Sequence, residues 1–152
     1  MAKETSNVEG LKFRGVPIGG DSKSFVKVIK KNFGFENFDF KETSVELYGG
    51  QFVGEDVQLT VYYTHKSKTV YAVDIYFSNL SYEDEYMHYK RLYTQKYGTP
   101  KIIKDEYEND KAIYEIDGGR IIIYGNFNIM YVNTTNEKLA NKEHDMALLD
   151  EI

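Results

Sequence analysis

The chain has 152 residues, a size that suits one domain with one substantial core, and 41% of its residues are hydrophobic. Nineteen basic residues stand against 24 acidic ones for a net charge of −5, with no long basic run, which argues against a nucleic-acid backbone as partner. Cysteine is absent, which removes disulfides, thiolate nucleophiles and Cys-ligated zinc together and leaves the redox compartment open.

Residues 1–10 are polar and read as a loose N-terminus, without the apolar run of a signal-peptide core. No window approaches 18 apolar residues, so no membrane partner is expected. Cytoplasmic is the default localisation, with export the alternative if a signal peptide has been removed. Leu11 to Gly20 reads as a short extended segment closed by glycines. Asp21 or Ser22 then offers an N-cap to a helix over about 23–33, whose apolar residues Phe25, Val26, Ile29 and Phe33 recur at helical spacing. Gly34 is placed to end it in a left-handed conformation. Lys27, Lys30 and Lys31 on that helix read as a solvated face.

From Phe35 to Gly54 alternation is broken by glycines. Thr43–Tyr48 reads as a strand, with Gly49-Gly50 as a turn or bulge leading into Gln51 to Val53. The clearest signal follows in Asp56 to Phe77. Val57, Leu59, Val61 and Tyr63, and again Tyr71, Val73, Ile75 and Phe77, place apolar residues at every second position, the period of a half-buried strand. The polar segment Thr64 to Thr69 between them suits an antiparallel hairpin. Pairing Val61 with Val73 sets Leu59 opposite Ile75 and Val57 opposite Phe77 on one face, and leaves Gln58, Thr60, Tyr62, Ala72, Asp74 and Tyr76 on the other. A lone two-stranded hairpin is marginal in water, so this one needs cover.

The second helix is expected to start at Ser81, with Asp84 three residues on in a capping-box pattern and Glu83, Asp84 and Glu85 at the positive end of the helix dipole. Tyr82, Tyr86, Tyr89, Tyr93 and Tyr97, with Leu92, form a stripe that suits packing on a sheet. Gly98-Thr99-Pro100 stops the helix. Four short strands follow over 101–107, 111–116, 120–125 and 127–132, separated by Glu108-Asn109-Asp110, Asp117-Gly118-Gly119 and Gly125-Asn126. Residues 136–152 read as a C-terminal tail or a short amphipathic helix.

Phe25–Phe77 and Tyr86–Val132 share a plan: an amphipathic helix, an aromatic-glycine stop (Phe33-Gly34 and Tyr97-Gly98), then successive antiparallel strands. The expected fold is therefore α+β, a single domain over 11–135 built of two helix-plus-antiparallel-sheet units, about 11–79 and 80–135. Both helices would pack on one face of the sheet and leave the other open. This plan, with the opening Phe13 to Gly20 (FRGVPIGG), resembles the tandem helix-plus-four-strand fold of the beta-lactamase inhibitor protein and of small bacterial proteins of that layout. The resemblance implies an exposed sheet that grips another protein with aromatic and polar side chains. Cysteine and tryptophan are both absent here, so neither the same target nor any functional residue is carried over.

Chemistry requires groups that converge, and no P-loop, G-x-S-x-G elbow or G-x-G-x-x-G fingerprint is present. His65, His88 and His144 fall in a loop, a helix and the tail, and the His88/Asp84 spacing suits a surface charge pair. No catalytic residue, metal site or cofactor is therefore expected. What remains is the outward sheet face, where Tyr48, Gln58, Thr60, Tyr62, Asp74 and Tyr76 form a tyrosine-and-polar surface of the kind that binds a protein partner. The expected function is a non-enzymatic protein-binding module of inhibitor or immunity type, acting as a monomer or weak homo-oligomer. The alternative is a small-molecule binder or cryptic enzyme with a pocket between helix two and the sheet, lined by Tyr86, Tyr89 and Tyr93.

Overall fold

The computed structural model describes residues 10–78, 82–125 and 128–152, with the side chains of Asn37 and of residues 82–84 left aside. The expected Ser81 cap and the loose end at 1–9 lie outside the described residues. Three helices accompany a two-stranded hairpin, β1 (Lys12–Phe13) with β2 (Val16–Pro17), and an eight-stranded antiparallel sheet. Its strands are β3 (Asn37–Phe40), β4 (Ser44–Phe52), β5 (Glu55–Tyr63), β6 (Val70–Phe77), β7 (Lys101–Lys104), β8 (Asp110–Ile116), β9 (Gly119–Tyr124) and β10 (Asn128–Asn133). They lie in the order β3-β4-β5-β6-β10-β9-β8-β7, so that β6 and β10 form the central seam.

Helix α1 spans Ser22–Phe33. The Asp21 side chain accepts from the Ser24 backbone N–H, and Gly34 closes the helix at φ 79°, where a side chain would be strained. Helix α2 spans Tyr82–Tyr97, and α3 spans Thr134–Asp150. The C-terminal segment is thus one continuous helix, capped by the Asn133 side chain, which accepts from the Asn136 N–H and donates to Ile18 O at 2.7 Å.

The β5–β6 register is the one that alternation implies: Val57 faces Phe77, Leu59 faces Ile75 and Val61 faces Val73, and all six are buried. Tyr71 departs from it. A bulge pairs Tyr62 with Ala72 but Tyr63 with Val70, so Tyr71 has no opposite residue and turns to the outer side, its ring centroid 6.2 Å from that of Tyr62. Val70 takes its place in the core. A second bulge, between Leu47 and Gly50, keeps β4 continuous where a turn was one of the two expectations. Gly50 is required there because a Cβ would stand 2.6 Å from the Phe35 ring. The turn falls at Val53-Gly54 instead. Strand β7 is shorter than expected because the Asp105 carboxylate accepts from the Tyr107 and Asn109 N–H groups and bends the chain.

The core lies between one face of the sheet and α1, α2 and the β1–β2 hairpin. Phe13 sits at its centre, stacked on Phe52 with centroids 5.7 Å apart and edge-on to Phe33 and Tyr131. Tyr89 and Tyr93 of the stripe are buried, and the Tyr93 hydroxyl bonds that of Tyr131 at 2.6 Å. Tyr89 and Tyr93 nonetheless border a cleft beside α2 together with Leu92, which is 37% exposed, and Tyr86 and Tyr89 border a second, much smaller one.

Candidate functional site

Residues paired across antiparallel strands share a face, so the register fixes what the outer side of the sheet displays. One row runs Asp39, Glu46, Thr60, Asp74, Met130, Ile122, Ile113 and Lys101 across all eight strands. A second runs Ser44, Tyr62, Ala72, Val132, Arg120 and Glu115, and a third joins Gln58, Tyr76 and Asn128. Five of the six residues anticipated from strand parity lie in these rows, and Tyr48, two positions beyond Glu46 on β4, reaches the Glu46 carboxylate.

Their surroundings differ. Tyr76 is 51% exposed and Tyr48 36%, whereas Gln58, Thr60, Tyr62 and Asp74 are half-buried. The Tyr48 hydroxyl donates to the Glu46 carboxylate, and this bond, with a smaller effect of partial burial, raises the phenol above its ordinary range. Burial raises Tyr62 too, with Asp74 adding to it. Asp74 is the most distinctive member. Desolvation raises its carboxyl, and the bond it accepts from Asn128 Nδ2 at 2.8 Å only partly offsets this. A half-buried carboxylate costs folding stability at neutral pH, so its presence on an outer face marks it as a candidate interaction group.

Several members of this surface were not legible in the hairpin alone. Met130, Ile122, Asn128, Tyr124 and Arg120 arrive from β9 and β10, which are distant in sequence and join through the β6–β10 seam. Lys111 lies 5.6 Å from the centre of the Tyr124 ring. Charges of both signs stand on this surface: Asp39 and Glu46 lie near Lys41, Asp74 lies on β6, and Lys101, Lys111 and Arg120 share the β7–β9 side with Glu115. Helix α3 covers one end of it. Arg120 forms a two-pronged pair with Glu137, both contacts 3.0 Å, and Ala72 and Val132 are buried there outside the main core.

The histidines are closer than the sequence implied. His65 and His144 line one shallow cavity with Tyr71, Ala140 and Asn141, while His88 bonds Arg91 on α2. Among the described residues no group of three or more His, Asp or Glu side chains is arranged to hold a metal ion, and no helix is long and apolar enough to cross a membrane. The fold and surface define an antiparallel α+β protein whose tyrosine-bearing outer sheet face is, among the described residues, covered at the end where α3 lies. No family model, curated sequence or solved structure matches the chain.

Proposed function

We propose that the chain is a non-enzymatic protein-binding module of inhibitor or immunity type, whose partner docks on the outer sheet face around Tyr62, Asp74 and Tyr76. The single observation that carries this reading is the display of tyrosine and polar side chains across paired strands β4 to β6, left open by the described residues except where α3 lies over one end. Rigid amphipathic rings supply contact area at small entropic cost. In the same reading the molecule is a tandem of two helix-plus-four-strand units joined at the β6–β10 seam, similar in plan to the beta-lactamase inhibitor protein. A helix precedes each run of four sheet neighbours, β3 to β6 and β7 to β10, and this order supports the tandem arrangement.

The test is affinity capture from an extract of the producing cells with wild type and with a Tyr62→Ala/Tyr76→Ala variant, after matched thermal melts. A partner retained by wild type and lost from the variant is expected. Equal recovery of the same proteins by both removes the sheet face as the binding surface.

A further inference from the structure

On the helix side of the sheet, away from that face, an open cleft of about 540 Å³ lies between the β1–β2 hairpin, the end of β4 and α2. This falls within the span of about 300–1,000 Å³ common for small-molecule sites. Its apolar surface comes from Phe52, Leu92, Tyr97 and Tyr131. Among the described residues the charged side chains lining it are Lys12, Arg14 and Lys96, all cations, in a chain of net charge −5.

Two of the lining residues hold unfavourable backbone conformations. Arg14-Gly15 and Val53-Gly54 are the two-residue turns of their hairpins, and Arg14 at φ 51° and Val53 at φ 52° occupy the left-handed region that glycine or asparagine fills at less cost. For β-branched Val53 this is a genuine outlier. Positive φ at both central residues is what a type I′ turn needs, but arginine and valine meet that need at more cost than glycine or asparagine would. The cations are also pre-positioned. The Arg14 guanidinium lies 4.5 Å from the centre of the Phe33 ring and the Lys96 ammonium 5.2 Å from that of Tyr97. A guanidinium held over an aromatic ring can still present N–H groups to a carboxylate.

From these observations we infer that the cleft binds a small amphipathic anion, its carboxylate on Arg14 and Lys96 and its apolar body on Phe52, Leu92 and Tyr97. At the floor the Tyr93 and Tyr131 hydroxyls are joined by one hydrogen bond, which uses the proton of only one of them. The site does not depend on the outer sheet face, so either assignment stands or falls without the other.

The probe is the fluorescent anion 1-anilinonaphthalene-8-sulfonate, displaced by decanoate or by uncharged decanol. Saturable single-site binding is expected, with decanoate displacing the dye at least about tenfold more effectively than decanol, as a charge-assisted contact requires. Arg14→Asn and Lys96→Gln should each weaken decanoate by about tenfold. Arg14→Asn should do so while the melting temperature holds or rises, because asparagine tolerates the left-handed turn; a purely structural Arg14 would lose stability instead. Leu92→Trp should fill the cleft and block the dye. Absence of saturable binding, equal competition by decanol, or unchanged displacement in both cation variants overturns the assignment. So does binding seen only in a chain that starts at Gly10, which would make residues 1–9 the natural occupant.

Discussion

The Tyr86 hydroxyl is buried and has no hydrogen-bond partner among the described residues, and burial pushes its pKa up to about 12. An unmet hydroxyl costs about 1–3 kcal/mol in desolvation that nothing returns. Tyr86→Phe is therefore expected to raise the unfolding free energy by about 1 kcal/mol, read as a higher urea midpoint with an unchanged slope. Tyr93 and Tyr114 behave differently because their hydroxyls have partners: Tyr93 pairs with Tyr131, and Tyr114 donates to Lys90 O at 3.0 Å and contacts Thr94 Oγ1 at 2.9 Å. At this scale the helix stripe was readable from its spacing, but which hydroxyl would go unmet depends on β8 and β10, whose partners lie far along the chain.

Among the elements, α3 has no buried residue, and polar contacts hold it to the sheet. The central one is Glu143, which accepts from the Lys66 N–H at 2.7 Å, the Ser67 N–H at 2.9 Å and the Ser67 hydroxyl at 2.6 Å. Desolvation is the largest single influence and opposes the charge, but these donors together outweigh it and hold the carboxyl at about 2, below its ordinary 4.5. The folded-state pKa is depressed, so the contribution of Glu143 is fully present above about 4.5 and is lost as pH falls toward 2. Glu143→Gln should thus lower the melting temperature at pH 7, and the gap from wild type should close as melts are repeated down to pH 2; a constant gap would show that the carboxylate's charge is not what clamps the helix. The segment was readable as a helix or a tail. That it forms one 17-residue helix reflects the Asn133 cap and the β5–β6 loop it reaches.

For the whole molecule, the β1–β2 hairpin acts as a plug between the two core helices, and Phe13 is its anchor against α1, β4 and β10 at once. Phe13→Ala is expected to cost about 3–5 kcal/mol in urea unfolding, in one cooperative transition, because the cavity would lie where these elements meet. Loss of only the hairpin, with the sheet melting as before, would contradict that. The sequence by itself determined strand parity in β5 and β6 and the ends of α1, since a two-residue period, an Asp N-cap and a Gly stop act through neighbours a few residues apart. Only the tertiary structure decided that Tyr71 leaves the core, that β6 joins β10 to widen the outer face, and that cations from β1 and α2 meet over one cleft. These depend on a bulge, a strand seam and a turn facing a helix, each a contact between distant segments that no local period encodes.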